Sequence, residues 1–309
     1  MNHKATILIP VFVFFAVLFT ACSEDDNDSI SSVEVSESDV DKSKNDSLTE
    51  RKALKTKRIF YTIPSPMETA HLLHKAGATY NYQLLNDVRN VKKYTTANAK
   101  SLNLGVYGTN LSYTSLYYET QETMLYMESV KRLADDLGVT QAIDKRMIER
   151  MEANIERRDS MMHLISSAFQ DIDAYLKANK RDNTAALVVA GGWVEGMYLA
   201  TSLLADNNYK NEEIKSRIID QKYSFKDLMN LLSLIEDDRN VEEIITRLEP
   251  VKNTFEMVEI KKSPMTVEVD ESKNKSVLGG DADIKVEEGF FEEMFKVTSE
   301  IRNYIINLE

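Results

Sequence analysis

The stretch that most constrains the fold is residues 184–205, the most apolar part of the chain after its N-terminal segment. Its length would suit a membrane-spanning helix. However, Glu195 lies at its centre, where a carboxylate costs about 2.5–3.5 kcal/mol on insertion scales. Gly192, Gly196 and Ala200 recur at four-residue spacing and would let a neighbouring helix come close. The stretch therefore predicts a buried central helix of a helical bundle.

Glu195 is the one carboxylate within this apolar stretch. A carboxylate in such surroundings must be paired, protonated or exposed in a cavity. One interpretation is a structural ion pair, for which Arg158 is a candidate partner. The other is a ligand-binding group beside Trp193. We favour the ion pair, and both interpretations stay open at the level of the sequence.

Apolar residues at three- and four-residue spacing predict further long helices. A first set predicts one helix that stops at Gly138, and a second set predicts a helix over residues 140–179, antiparallel to the first. Residues 291–308 repeat the pattern in a last helix that packs back onto the bundle. The two sets are Leu111, Leu116, Thr120, Met124, Met127, Val130, Ala134 and Leu137, then Ile148, Met151, Ile155, Arg158, Met162, Ile165, Phe169, Ile172 and Leu176. The predicted fold class is all-α, a multi-helix bundle with long antiparallel amphipathic helices.

Local signals mark the start of this folded domain and one interruption by strands. Ser65-Pro66-Met67-Glu68 is typical of a helix N-terminus, and Gly77 then ends that helix. Thr266-Val267-Glu268-Val269 and Asp283-Ile284-Lys285-Val286 alternate like strands, with Gly279-Gly280 in the loop between them. We therefore predict a single helical domain over residues 59–309, with a small β-hairpin near residues 266–286.

The N-terminus has the parts of an export signal: Lys4, an apolar run over residues 5–19, and small residues at Thr20 and Ala21. Residues 1–21 are predicted to be a signal peptide that is removed. Leu18-Phe19-Thr20-Ala21-Cys22 resembles the lipobox of bacterial lipoproteins, although Phe19 stands where leucine is usual. The resemblance implies cleavage before Cys22 and lipid attachment to Cys22, such as palmitate.

Residues 22–58 are predicted to form a lipidated, disordered acidic tether, because residues 23–50 are rich in Ser, Asp, Asn and Glu and contain few large apolar residues. Ser23-Glu24-Asp25-Asp26-Asn27-Asp28 resembles the acidic signal that follows the lipidated cysteine in surface-exposed lipoproteins of Bacteroidetes. That resemblance implies an outer-membrane protein whose domain faces the cell exterior. The predicted membrane contact is the N-terminal lipid alone.

Composition excludes several classes of function. The chain carries 38 Lys and Arg against 50 Asp and Glu, a net charge of −12, which repels a phosphate backbone and makes nucleic acid an unsuitable partner. Cys22 is the only cysteine, so an intramolecular disulfide and a second thiol are both absent. The chain has no phosphate loop, dinucleotide fingerprint or nucleophile elbow, so we predict no cofactor and assign no catalytic residue.

One motif has metal-ligand spacing. Glu68-Thr69-Ala70-His71 places a carboxylate and an imidazole one turn apart on a helix, as in di-iron helical bundles. Such a site needs a second copy, and none is present; His71 and His74 would leave at most a single-metal site. A capping-box glutamate explains the same residues, so no metal site is predicted.

Tyrosines provide the main ligand-binding candidates. Tyr107, Tyr113 and Tyr117 lie close together in sequence, near Tyr118 and Tyr126, and tyrosine gives amphipathic contact area suited to sugars, peptides or proteins. With Trp193 and Glu195 they form the candidate ligand site. The alternative is that the tyrosines line the core with their hydroxyl groups at its edge.

Three segments of the domain are similar to those of uncharacterised helical surface lipoproteins of Bacteroidetes: Ile63-Pro64-Ser65-Pro66, Gly105-Val106-Tyr107-Gly108 and Gly191-Gly192-Trp193-Val194-Glu195-Gly196. The resemblance implies a helical fold and an envelope location, and it implies no activity. The predicted function is a lipid-anchored binding or interaction protein with a protein, peptide or glycan ligand. The alternatives are an envelope hydrolase that uses paired carboxylates, and a purely structural envelope protein.

Overall fold

The computed structural model describes residues 63, 66–143, 145–235, 237–262, 266–270, 275–279 and 282–309. Residues 48–309 form one compact unit, to which all of these belong. The predicted signal peptide, Cys22 and the acidic tether lie outside the described residues, as does Ser65. The all-α prediction is confirmed, because helices dominate the described part of the chain.

The helices are α1 (Pro66–Lys75), α2 (Ala97–Leu116), α3 (Thr120–Asp136), α4 (Lys145–Ala153), α5 (Arg158–Ala178), α6 (Asp182–Asp206), α7 (Glu212–Leu232), α8 (Arg239–Glu256) and α9 (Phe290–Ile306). Short 3-10 helices span Tyr82–Leu84, Val88–Lys92 and Thr140–Ala142. Pro66 begins α1 and Gly77, in the left-handed region at φ 75°, follows it, as the sequence predicts.

The centre of the bundle is the pair α2 and α6, whose backbones touch. A Cβ atom added to Gly105 would lie 2.0 Å from the carbonyl oxygen of Val188, and one added to Gly191 would lie 1.9 Å from that of Leu102. Of the 25 residues of α6, 19 are buried, which confirms the buried central helix. Within the described residues, α6 is the one helix with the length and hydropathy of a membrane span, and 89% of that window is buried inside the protein.

α2 is almost fully buried, with 17 of its 20 residues in the protein interior. Its sequence is nevertheless rich in small polar residues. Several hydroxyl groups on its inner faces donate to backbone carbonyl groups one turn earlier: Ser101 to Ala97 at 2.6 Å and Ser112 to Gly108 at 2.8 Å. These bonds satisfy the hydroxyl groups inside the helix, so they can be buried without a penalty. Small polar side chains then allow the close contact with α6.

The single helix predicted to end at Gly138 is wrong, because the chain breaks it into α2 and α3. Tyr118 adopts a left-handed conformation at φ 60°, and the N–H of Glu119 donates to the carbonyl group of Thr114, which ends α2. Met124, predicted to face the core, is 51% exposed on α3. The stop at Gly138, at φ 67°, is confirmed.

The single helix predicted over residues 140–179 is also wrong, since it is divided into α4 and α5. The side-chain amide of Asn154 donates to the carbonyl group of Arg150 at 2.7 Å, and the N–H of Arg157 donates to Asn154, so the chain turns here. Arg158 is the first residue of α5 instead of a charge in the middle of a long helix. In α5 the predicted apolar positions do face the core, since Ile165 and Ile172 are buried.

Four strands follow α8. β1 (Val258–Lys262) pairs antiparallel with β4 (Ala282–Val286), and β2 (Thr266–Asp270) pairs antiparallel with β3 (Lys275–Gly279). Both segments predicted as strands are strands, but they do not pair with each other. Gly279 lies within β3 opposite Thr266, not in a loop between the predicted pair. The difference arises because two more segments also form strands and supply the actual partners.

α9 then returns to the bundle, as predicted for the last helix. Ile301 and Ile305 are buried, and the hydroxyl groups of Thr298 and Thr201 lie 3.0 Å apart across the contact with α6. This helix places Arg302 beside the middle of α6.

Candidate functional site

Glu195 lies at the centre of α6 with its side chain fully buried, and its partner is Arg302 of α9. The Nε atom of Arg302 donates to Oε2 of Glu195 at 3.0 Å, and the amide of Asn110 donates to Oε1 at 2.7 Å. The partner suggested by the sequence, Arg158, is therefore wrong, whereas the ion pair itself is present. Sequence spacing gave no signal for Arg302, which is 107 residues away.

The guanidinium group of Arg302 is held on several sides. It donates to the carbonyl group of Leu84 at 3.0 Å and lies 4.5 Å from the ring centre of Tyr198. Burial acts to lower the pKa of Arg302, but the charge of Glu195 and the hydrogen bond to it more than offset burial, so the pKa lies above its usual value. Arg302 is therefore charged in the core.

Asparagine side chains extend this polar network. The N–H of Asn86 donates to Oδ1 of Asn110 at 3.1 Å, and the amide of Asn86 donates to the hydroxyl group of Tyr94 at 2.9 Å. The amide of Asn103 donates to the carbonyl group of Ile305 at 3.0 Å. The network joins α2, α6, α9 and the chain before α2 through hydrogen bonds within the protein. Its geometry is that of a structural centre.

Trp193 does not join Glu195 in one pocket. Its indole N–H donates to the hydroxyl group of Ser224 on α7 at 3.1 Å, and its ring centre is 5.1 Å from that of Phe225. Glu195 instead contacts α2 and α9. The two side chains thus face different neighbours, and Trp193 is only 4% exposed.

The three candidate tyrosines of the sequence all lie on or next to α2, and their hydroxyl groups bind the backbone of residues 78–87. Tyr107 donates to Asp87 at 2.8 Å, Tyr113 donates to Thr79 at 3.1 Å, and Tyr117 donates to Ala78. Tyr107 and Tyr113 are fully buried. Burial raises the pKa of Tyr113 to about 12, so it is a protonated donor at neutral pH. These hydroxyl groups hold the chain before α2 against the bundle.

Tyr113 and Tyr117 also belong to a cluster of rings at the C-terminal end of α2. The ring centres of Tyr113 and Tyr117 are 4.9 Å apart, and that of Tyr80 lies 5.3 Å from Tyr113 and 5.5 Å from Tyr117. His74 of α1 meets Tyr117 edge-on at 5.1 Å. We call these four residues, with His71, Tyr118 and Arg158, the aromatic end.

The aromatic end reaches the surface at Tyr118. Its ring is 58% exposed, and the guanidinium carbon of Arg158 lies 5.7 Å from the ring centre. The Nε atom of Arg158 also forms an ion pair with Oδ1 of the exposed Asp159 at 3.7 Å, a separation too long for a hydrogen bond. Tyr118 belongs to the tyrosine group of the sequence, but no sequence pattern indicates that Arg158 lies against it. An exposed ring beside a partly exposed cation can stack on a ligand and donate hydrogen bonds to it.

Three polar atoms in the aromatic end are buried without a hydrogen-bond partner: Nδ1 of His71, the hydroxyl oxygen of Tyr80 and Nε of Arg158. They come from three separate segments of the chain. Buried polar atoms in native proteins are almost always bonded, and leaving one unbonded costs about 1–3 kcal/mol. Their presence at one end of the bundle contrasts with the satisfied network around Glu195 and marks this end as the better candidate for ligand contact.

Charges of both signs surround these atoms. Burial lowers the pKa of His74, and the nearby Arg158 lowers it further, which favours the neutral form of His74. Glu119 and Glu122 lie close enough to Tyr80 to add to the effect of burial, which raises the pKa of Tyr80 above its usual value. The aromatic end therefore offers both hydrogen-bond donors and acceptors to a ligand.

Glu68 and His71, the two residues with metal-ligand spacing, lie on α1, and His71 belongs to the aromatic end. Within the described residues, no group of three or more His, Cys, Asp or Glu side chains is placed to hold a metal ion. The Nδ1 atom of His71 is buried against the protein.

Comparisons of the chain with protein-family models, curated proteins and solved structures find no match. The resemblance to helical lipoproteins of Bacteroidetes therefore stays a prediction.

Proposed function

We propose that this chain is a lipid-anchored binding protein of the bacterial envelope, held by Cys22 at the outer membrane with its domain facing outward. The lipobox-like residues before Cys22 and the acidic residues after it support the anchor and its direction. Two or more acyl chains, each contributing about 0.8 kcal/mol per buried CH₂, anchor a protein stably. The acidic tether then separates the domain from the membrane.

The ligand site in this proposal is the aromatic end. The observation that carries it is the presence of three buried polar atoms without a hydrogen bond, of His71, Tyr80 and Arg158, at the end of the bundle where the ring of Tyr118 is exposed. Sugars and peptides suit both features, because they combine faces or side chains that stack on a ring with groups that hydrogen-bond.

The contacts of Glu195 argue against a hydrolytic role for this residue. A glycoside hydrolase needs two carboxyl groups on either side of the scissile bond, with one of them able to carry a proton. Glu195, the carboxylate buried at the centre of the bundle, is occupied by Arg302 and Asn110. It therefore acts as part of the fold.

We expect Tyr118→Ala to weaken ligand binding about tenfold or more, because the stacking surface is lost. Alanine keeps a Cβ atom at the left-handed position, so the backbone strain is unchanged and the fold is retained. The measurement is a thermal-shift screen of the full chain against neutral oligosaccharides and short peptides, followed by titration of each compound that raises the melting temperature.

The matched control is Tyr82→Ala, which removes another ring that is 65% exposed. It should bind the same compounds as the wild-type chain. Hits that bind equally well to Tyr118→Ala would contradict a site at the aromatic end, and a screen without any hit would contradict binding of these ligand classes.

A further inference from the structure

A polar groove runs along α5 where it faces α4. The groove has a volume of about 430 Å³, within the range of small-molecule sites. Arg150 and Asn154 of α4 line one side, and α5 lines the other from Ser160 to Gln170. That stretch of α5 is about 15 Å long at 1.5 Å per residue. We call this cavity between the two helices the α4–α5 groove.

The hydroxyl groups in this groove differ from those of α2. Ser160, Ser166 and Ser167 line the groove, and within the described residues their side chains make no hydrogen bond to the protein. Ser101 and Ser112 of α2 instead donate to carbonyl groups of their own helix. The α5 hydroxyl groups are thus available to a molecule in the groove, together with the side chain of Gln170.

The charge of the groove is opposite to that of the chain. Arg150 lines it, and none of the described residues that line it is acidic, although the net charge of the chain is −12. A second groove on α4 provides a contrast, because two carboxylates, of Glu149 and Glu152, line it beside Lys131 and Lys145. The α4–α5 groove therefore favours a ligand that carries negative charge.

We propose that the α4–α5 groove binds an acidic saccharide, a short oligosaccharide whose sugars carry carboxylates. The serine hydroxyl groups and the amide of Gln170 suit sugar hydroxyl groups, and the guanidinium group of Arg150 suits a carboxylate, which it can bind through two parallel hydrogen bonds.

Two other anionic ligands fit less well. A nucleic acid carries a negative charge on every nucleotide, and Arg150 is the one Lys or Arg side chain among the described residues that line the groove. A peptide presents fewer hydroxyl groups than a sugar and gains more from apolar contacts, but Leu164 is the one apolar residue among the described residues that line the groove.

This site is separate from the aromatic end. The lining positions Ser160 and Ser167 lie about half a helical turn around α5 from Arg158, which faces Tyr118. The inference thus goes beyond the proposed function and does not depend on the ligand of the aromatic end.

The test is a calorimetric titration of the full chain in detergent with a short oligomer of a uronic acid. The same oligomer with its carboxyl groups reduced to alcohols, and a short polyglutamate peptide, serve as comparison ligands. We expect the uronic-acid oligomer to bind at least about tenfold more tightly than either. Its affinity should fall as salt rises from about 50 mM to about 200 mM.

Two variants locate the binding site. Arg150→Gln should weaken binding of the acidic oligomer about tenfold, and Ser167→Leu, which removes a hydroxyl group and fills the groove, should weaken it at least as much. Lys145→Gln is the matched control, since it removes one positive charge from α4 in the other groove and should leave the affinity unchanged. Far-ultraviolet circular dichroism confirms that each variant is folded.

Absence of binding up to about 1 mM oligomer would overturn the proposal. Equal effects of Arg150→Gln and Lys145→Gln would overturn it too, because binding would then follow net charge instead of the groove. Preferential binding of polyglutamate would replace the saccharide with an acidic peptide and would equally overturn it.

Discussion

Gly105→Ala is expected to destabilise the domain by more than about 3 kcal/mol, or to prevent it from folding. The added Cβ would lie 2.0 Å from the carbonyl oxygen of Val188 and 2.5 Å from the backbone nitrogen of Gly192. Both contacts are with backbone, so no side-chain rotation relieves them, and α2 and α6 would have to move apart. Alanine is the better helix former by about 1 kcal/mol, so any loss reflects the clash. Urea titration of wild type and variant gives the difference.

Gly77→Ala is the control for this change. Gly77 has no atom within 4 Å of an added Cβ but is in the left-handed region at φ 75°, so alanine there should cost about 1–2 kcal/mol. Gly191→Ala should behave like Gly105→Ala, because its Cβ would lie 1.9 Å from the carbonyl oxygen of Leu102. If Gly105→Ala loses no more stability than Gly77→Ala, α2 and α6 do not pack as described.

Glu195→Ala is expected to cost about 3–5 kcal/mol, because it leaves the buried guanidinium group of Arg302 without its counter-charge. Arg302 is 6% exposed, so water cannot replace the carboxylate without opening the core. Removing both charges at once, in Glu195→Leu with Arg302→Met, should be less damaging than either single change, since no unpaired charge then remains. Urea titrations of Glu195→Ala, Glu195→Leu, Arg302→Met and the double variant measure these differences.

An exposed ion pair provides the comparison. Glu249 and Lys252 lie 3.0 Å apart on the surface of α8, and Glu249→Ala should cost no more than about 0.5 kcal/mol. A loss of less than about 1 kcal/mol for Glu195→Ala would reject the structural role. Glu195 would then be the first residue to examine as a ligand contact.

Sequence patterns predicted those helices and strands in which the spacing of apolar residues follows a single regular period. The apolar residues of α6 and the heptad spacing of α9 predicted a central helix and a returning helix, and alternation predicted β2 and β4 as strands. The same patterns could not locate the breaks. Tyr118 in a left-handed conformation and Asn154 bonded to Arg150 end helices without glycine or proline, so the apolar spacing continues across both breaks.

The site was harder to predict because its contacts are distant in sequence. Burial of Glu195 implied a cation, but spacing could not distinguish Arg158 from Arg302, which lies 107 residues beyond Glu195. The burial of α2 was missed since its small polar residues give it no apolar face. Tyr80 gave no signal because it precedes α2, and it meets Tyr113 and Tyr117 only after the chain turns back.

The most direct test of the central claim is protease treatment of intact cells that express the chain, with Cys22→Ala cells beside them. The wild-type chain should co-sediment with the outer membrane, incorporate radiolabelled palmitate and be degraded from outside while a periplasmic marker survives. Cys22→Ala should incorporate no palmitate and either leave the membrane or stay unprocessed. Palmitate on the Cys22→Ala chain, or a wild-type chain that is protected until the outer membrane is broken, would contradict an outward-facing lipid-anchored protein.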